Sequence, residues 1–225
     1  MSSIRENLDR VRESIERARM KAGRKDEVIL VAVTKTVPPE RINESIDAGV
    51  TVIGENRVGE AEEKRGFVKQ GAIWHLIGHL QRNKVKKALP LFQMIQSIDK
   101  LETALEIEQR ATRPMEILIE VNSSGEATKS GVAPEGFFRL VDLLRPLKMI
   151  TVKGIMTIGP LTDDEEMIRA AFRLTFRIFE ELKSRDKELD IRHLSMGMSA
   201  DFTIAIEEGS NMVRVGSAIY GPRIP

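Results

Sequence analysis

The feature that most constrains the fold is the alternation of short apolar, β-branched runs with longer segments that carry helix signals. The run VILVAV at 28–33 is continuously apolar, a pattern typical of a strand buried on both faces of a parallel sheet. Eight strands alternating with helices predict an α/β fold, a (β/α)8 barrel, with a doubly wound open sheet as the alternative. The predicted strands are Val28–Val33, Thr51–Gly54, Ile73–Gly78, Met94–Ile98, Glu116–Val121, Val152–Ile158, Ile191–Met196 and Met212–Gly216.

The segments between these strands often begin with Pro, Asp or Ser and end near Gly, as helix boundaries tend to. An extra helix is predicted before the first strand, because apolar residues recur at helical spacing from Ile4 to Ile15 and Ser2 or Ser3 can cap it. No linker rich in Pro, Gly or Ser divides the chain. We therefore expect one domain over residues 1–225, a length that a single barrel commonly has.

Composition excludes several classes of function. The 35 Lys and Arg residues nearly cancel the 34 Asp and Glu residues, so bulk charge does not favour nucleic acid or an anionic membrane. Without cysteine, the chain cannot form disulfides, thiolate metal sites or cysteine nucleophiles, and its three scattered histidines give no metal-ligand spacing. No signal peptide or membrane-spanning run is recognisable, so the cytoplasm is the expected location.

Polar residues follow several of the predicted strands, whose carboxyl ends form the binding face in either architecture. Lys35 directly follows VAVT at the end of the first strand, where partial desolvation would disfavour its ammonium form and favour reaction with a carbonyl compound. A solvated loop lysine is the alternative. His79 follows the third strand and is a candidate site residue, whereas His75 and His193 are expected to pack within strands.

Two segments near the end of the chain are suited to an anion. Ser199 is predicted to start a helix, where free N–H groups and the helix dipole attract phosphate. Gly216 and Ser217 lie at the end of the last predicted strand, where a glycine lets the backbone approach a ligand closely. Either feature alone could be a helix cap or a turn, but phosphate sites of many barrels lie beside strands seven and eight.

Arg214 lies inside the otherwise apolar strand MVRVG. Facing inward it would need a partner, because an unpaired buried guanidinium is very costly. Facing outward it could extend between helices to reach water. The sequence leaves both orientations open.

Several ordered segments together resemble the pyridoxal phosphate homeostasis protein family. They run from about Val28 to Arg223 and comprise VAVTKTVPPERI, IGENRVGEAEEK, WHLIGHLQRNKVK, QSIDK, VNSSGEATKSG, GIMTIGP and LSMGMSADFTIAIEEGSNMVRVGSAIYGPR. The resemblance implies a barrel like the N-terminal domain of alanine racemase. It further implies that pyridoxal 5'-phosphate (PLP) is held as a Schiff base on Lys35.

The resemblance also implies which residues contact the cofactor. Met198–Ser199 and Gly216–Ser217 would hold the phosphate, Asn56 would lie near the ring, and Arg214 would face the pyridine nitrogen. Arginine there is permanently cationic and leaves the nitrogen largely unprotonated, which weakens carbanion stabilisation. The predicted cofactor-binding residues are Lys35, Asn56, Met198, Ser199, Arg214, Gly216 and Ser217, with His79 and Met156 as further candidates.

Three functions fit these features: a protein that stores, delivers or buffers PLP, a racemase-like enzyme of low activity, and a binding module on a barrel scaffold. Racemisation needs acid–base groups on opposite faces of the substrate carbanion. Tyr220 is the only tyrosine, and it follows the phosphate-binding segment, where it is poorly placed to be the second group. We therefore expect a monomeric PLP homeostasis protein rather than an enzyme, with PLP-dependent apoenzymes as candidate partners.

Overall fold

Eight parallel strands close into a barrel, in which β1 pairs with both β2 and β8 and Val31 lies opposite Arg214. The computed structural model describes residues 3–126 and 129–222, so Ser2 and Arg223, named above, lie outside the described residues. The closed barrel is confirmed and the open sheet was the wrong alternative. The strands are β1 (Ile29–Val33), β2 (Val52–Glu55), β3 (Ile73–Leu76), β4 (Met94–Ile98), β5 (Met115–Val121), β6 (Ile150–Thr157), β7 (His193–Ser195) and β8 (Met212–Val215).

Helices alternate with these strands, as the sequence predicts. The predicted helices are confirmed, but those before β3 and β4 are short, and a last helix after β8 was not predicted. The helices are α1 (Ile4–Lys21), α2 (Pro39–Asp47), α3 (Val58–Lys64), α4 (Val85–Ala88), α5 (Leu101–Arg110), α6 (Phe137–Leu144), α7 (Glu165–Arg185), α8 (Phe202–Glu207) and α9 (Ser217–Tyr220). No helix within the described residues is long and apolar enough to cross a membrane.

The additional helix α1 begins with a capping box. The Ser3 hydroxyl accepts the N–H of Glu6, and the Glu6 carboxylate accepts the N–H of Ser3. The apolar stripe that includes Leu8 and Val11 is buried, because α1 packs against α2, α8 and α9. This helix therefore covers the seam at which the barrel closes.

Apolar side chains fill two separate layers. The larger layer lies between the strands and the surrounding helices, and the smaller one fills the barrel interior with side chains such as Val31, Leu118, Met156 and Met212. An interior packed in this way is a solid core, so a ligand has access only to the ends of the barrel. The carboxyl ends of the strands are the end at which the predicted site residues lie.

Candidate functional site

Lys35 lies in the turn that follows β1 and is half-buried. It lines a cavity of about 230 Å³ together with Arg41, Gly216, Ser217 and Tyr220. The cavity forms at the seam of the barrel, because β1 and β8 are neighbours in the closed sheet. The structure thus brings the lysine after the first strand together with the glycine and serine after the last.

Ser199 joins two of the predicted anion-binding segments. Its Oγ accepts the backbone N–H of Gly216 at 3.1 Å and that of Ala218 at 3.5 Å. The segment after β8 therefore directs two N–H groups at one oxygen atom beside the cavity that contains Lys35. Such an arrangement can also serve phosphate oxygens, which accept hydrogen bonds in the same way.

The prediction that a helix starts at Ser199 is wrong, because α8 begins only at Phe202. A tight turn precedes the helix: the Met198 N–H donates to the Asp201 carboxylate at 2.6 Å, and the Asp201 N–H donates to the Met198 carbonyl at 3.1 Å. Gly197 enters this turn with φ of 94°, and a Cβ there would lie 2.6 Å from that of Ala205. Only glycine lets the turn pack so closely on α8.

Arg214 points into the barrel and is almost fully buried. Its guanidinium donates to Ser195 Oγ at 2.8 Å and to the Thr157 carbonyl at 2.7 Å, so the outward orientation was the wrong alternative. Burial lowers the pKa of Arg214 to about 10, opposed by the carboxylates of Asp201 and Glu120. The side chain therefore remains cationic at neutral pH.

A chain of hydrogen bonds continues from Arg214 across the barrel interior. Ser195 Oγ donates to Gln96 Oε1 at 2.7 Å, and Gln96 Nε2 lies 2.8 Å from His75 Nδ1. Burial lowers the pKa of His75 to about 3, so the neutral ring can accept from the Gln96 amide. A guanidinium can only donate, so Ser195 Oγ accepts from Arg214 and donates its own proton to Gln96. The hydrogen bonds of the chain therefore all run in one direction, and they hold Arg214 in one orientation.

Ser195 and Gln96, which hold Arg214 in place, were not predicted from the sequence. Their signal was present, since each is a polar residue within an apolar strand and is fully buried. A buried polar side chain needs partners, but the sequence does not show which strands supply them. His75 and His193 do lie in strands, the first buried and the second half-buried, as predicted.

Asn56, His79 and Met156 lie elsewhere. Asn56 and His79 line a separate groove of about 720 Å³ beside Gly78 and Lys84, and His79 is exposed. Asn56 Oδ1 is buried and receives no hydrogen bond from the described part of the chain, so it is an acceptor without a donor. Met156 is fully buried in the barrel interior, below the site rather than in an open cavity.

Metal binding receives no support from this geometry. Within residues 3–126 and 129–222, no three His, Asp or Glu side chains come together in a way that could hold a metal ion.

Glu120, on β5, is a titratable group near the Arg214 guanidinium that sequence analysis did not single out. Its side chain is buried, and burial raises the pKa of Glu120 to about 7, with a further contribution from the Asp99 carboxylate and opposition from Arg214. This carboxyl group therefore changes charge near physiological pH.

We predict that Glu120→Gln stabilises the protein at alkaline pH. The pKa of Glu120 is higher in the folded than in the unfolded state, so the folded state favours the protonated carboxyl. The resulting contribution to stability is fully present below the pKa of the unfolded state and is lost as pH rises through about 7. Glutamine is neutral at every pH, so the variant should exceed the parent by on the order of 2 kcal/mol at pH of about 8.5 and match it near pH 4.5. Urea unfolding across this pH range measures the difference.

Glu116→Gln, a substitution on the same strand at an exposed position, serves as the control and should show almost no such pH dependence. A constant stability difference between parent and Glu120→Gln would mean that the pKa of Glu120 is not raised in the folded protein.

The comparisons with known proteins agree with this geometry. Residues 6–224 match the family model described as alanine racemase, N-terminal domain. A protein from Aquifex aeolicus named pyridoxal phosphate homeostasis protein is 42% identical over 97% of each chain, and one of the same name from Vibrio cholerae is 40% identical over 99% of this chain and 98% of its own. PipY of Synechococcus elongatus, solved with PLP bound, superposes with a TM-score of 0.85 at 30% identity, over 97% of this chain and all of that one.

The fold and site together define a (β/α)8 barrel of the alanine racemase N-terminal type, with a lysine after its first strand and backbone donors after its last. The chain belongs to the pyridoxal phosphate homeostasis protein family.

Proposed function

We propose that this chain binds PLP as a Schiff base on Lys35 and serves in the storage, delivery or buffering of that cofactor, working as a single barrel domain. The observation that carries the proposal is the shared cavity of Lys35, Gly216 and Ser217, beside the two N–H groups that converge on Ser199 Oγ. An aldehyde phosphate requires both features at once, an amine for the aldehyde and several donors for the phosphate.

The remaining residues suit the same cofactor. The Arg214 guanidinium is charged, buried and held by Ser195 and Thr157, so it can face a ring nitrogen without losing its orientation. The buried oxygen of Asn56 offers an acceptor to a ligand group. Bound PLP supplies an electrophilic aldehyde and an electron-accepting ring, but a permanently cationic neighbour at the nitrogen weakens the ring as an electron sink.

The relatives favour the same proposal. Those from Aquifex aeolicus and Vibrio cholerae are named for PLP homeostasis rather than for a reaction, and PipY has been solved with PLP bound. We further propose that the protein is a cytoplasmic monomer and that PLP-dependent apoenzymes receive its cofactor, since an imine can be exchanged from one amine to another.

A racemase-like activity is the second candidate, because the matching family model is named for alanine racemase. The orientation of Tyr220 argues against it. The Tyr220 hydroxyl lies 2.8 Å from Ser45 Oγ, and burial raises the pKa of Tyr220 to about 12. A phenol held in this way is a poor second acid–base group for proton transfer at neutral pH.

Addition of PLP to the purified protein tests the proposed function. We expect an absorption band in the near-ultraviolet and visible range that borohydride removes, and negligible interconversion of D- and L-amino acids by the loaded protein. Racemisation at the rate of a dedicated enzyme would favour the second candidate. Failure to form any chromophore would favour a barrel that serves only as a binding scaffold.

A further inference from the structure

The turn that carries Lys35 is held from both sides by charged side chains of β2 and α3. On one side Lys35 follows Thr34, whose hydroxyl donates to Glu55 Oε1 at 2.7 Å. Lys64, at the end of α3, donates to the Thr34 carbonyl at 2.7 Å. The residue before the lysine is therefore fixed through both its side chain and its backbone.

On the other side, Thr36 adopts an unusual backbone conformation. Its φ is 62°, the one positive value found among the non-glycine residues that the structure describes. A β-branched residue in the left-handed region is strained and persists only where the surroundings enforce it. The Val37 N–H closes the turn by donating to the Thr34 carbonyl at 3.0 Å, and Glu60 Oε1 accepts the N–H of Thr36 inside it.

Lys64 connects the two sides. Its ammonium group also donates to Glu55 Oε1 at 2.9 Å and to Glu60 Oε1 at 2.6 Å, so all three of its N–H bonds are used. A lysine with three acceptors has lost the rotational freedom of its ammonium group. Thr34, Glu55, Glu60 and Lys64 thus form one connected cluster, which we call the Lys35 clamp.

The clamp is costly to bury. The side chain of Lys64 is 10% exposed and that of Glu55 is 0% exposed, and burial raises the pKa of Glu55. Glu55 Oε2 accepts no hydrogen bond from the described residues. Apolar residues often give a buried site as much stability as an ion pair does, so stability alone does not account for this cluster.

We propose that the Lys35 clamp is a positioning device and that Glu60 is its key residue, holding the backbone so that the Lys35 amine meets the aldehyde of the cofactor. This inference rests on the proposed function. In imine formation Lys35 Nζ bonds to the aldehyde carbon, the nitrogen loses its protons, and the aldehyde oxygen leaves as water. Such a step depends strongly on where the amine is held, whereas phosphate binding does not.

A comparison of two ligands separates imine formation from recognition of the ring and the phosphate. PLP and pyridoxine 5'-phosphate share the ring and the phosphate, but pyridoxine 5'-phosphate carries an alcohol in place of the aldehyde and cannot form an imine. We expect Glu60→Ala to weaken PLP binding about tenfold and to leave pyridoxine 5'-phosphate within about twofold of the parent. Glu60 is partly exposed on α3, so the variant should remain folded, which thermal unfolding verifies.

Two further variants serve as controls. Glu63→Ala removes an exposed carboxylate from the same helix and should change neither affinity. Glu60→Gln keeps an acceptor for the Thr36 N–H and should recover most of the PLP affinity that Glu60→Ala loses.

The outcomes separate the two proposals. If Glu60→Ala lost affinity equally for both ligands, or for neither, the positioning role would be overturned. The proposed Schiff base on Lys35 would be unaffected by that result. If the parent itself bound both ligands with the same affinity and without a borohydride-sensitive band, the Schiff base on Lys35 would be wrong and the clamp would have no amine to position.

Discussion

Lys35→Ala is expected to abolish the imine absorption of bound PLP and to leave only the spectrum of the aldehyde. Among the described residues, no other amine lines the cavity that Lys35 shares with Gly216 and Ser217. Arg41 is also in that cavity, but a guanidinium does not form a stable imine at neutral pH since it stays protonated. The phosphate contacts should survive, so binding should weaken on the order of 100-fold rather than vanish. An absorption titration with PLP, followed by borohydride reduction, measures both effects.

Lys148→Ala is the control for Lys35→Ala. Lys148 is exposed and precedes β6, at the end of the barrel opposite the site. The band and the affinity should equal those of the parent. A full band in Lys35→Ala would show that another amine carries the cofactor.

Arg214→Met is expected to destabilise the folded protein by about 3–5 kcal/mol, the range typical of removing one partner from a buried charged cluster. The change leaves the Thr157 carbonyl and Ser195 Oγ without their donor, and it removes the cation that faces Glu120 and Asp201. Urea unfolding at neutral pH measures the loss. The variant should also shift the absorption maximum of bound PLP, since the partner of the ring nitrogen would change.

Arg192→Met provides the matched control. Arg192 pairs with Asp190 at the surface and its side chain is 67% exposed, so its loss should cost less than about 1 kcal/mol. Equal stabilities of the two variants would contradict the structural role assigned to Arg214. An unchanged spectrum and PLP affinity in Arg214→Met would place its side chain outside the cofactor site.

The barrel could be predicted from the sequence because two signals identify its strands, their apolar composition and the helical segments between them. Most of the eight are short, mainly apolar runs, and each is separated from the next by a segment with helix signals. The position of Lys35 follows from the same pattern, because a residue after the first strand of a closed barrel must lie beside the end of the last. Gly216 and Ser217 therefore share its cavity, as expected.

The hydrogen bonds between side chains of different strands could not be predicted. The period of a strand shows which side chains face inward, but it does not show that Arg214, Ser195 and Gln96 form one chain. The start of α8 was misplaced for a local reason, since the Asp201 carboxylate bonds back to Met198 and closes a turn before the helix. The Lys35 clamp was missed because Glu55, Glu60 and Lys64 look like ordinary charged residues in sequence.

These contacts suggest why a racemase-type barrel can serve as a carrier. The cation proposed for the ring nitrogen is fixed by hydrogen bonds from the barrel interior, while the only tyrosine in the sequence is bonded to Ser45. The first feature limits carbanion chemistry, and the second removes a catalytic acid. The amine proposed to hold the cofactor stands in a turn that the Lys35 clamp holds through Thr34 and Thr36.

Peptide mass spectrometry of the borohydride-reduced, PLP-loaded protein tests whether Lys35 carries the cofactor. Reduction converts the imine into a stable amine, so the modified residue keeps the cofactor through digestion. We expect the added mass on the peptide that contains Lys35, at near-stoichiometric yield. Stoichiometric label on any other lysine, with Lys35 unmodified, would contradict it.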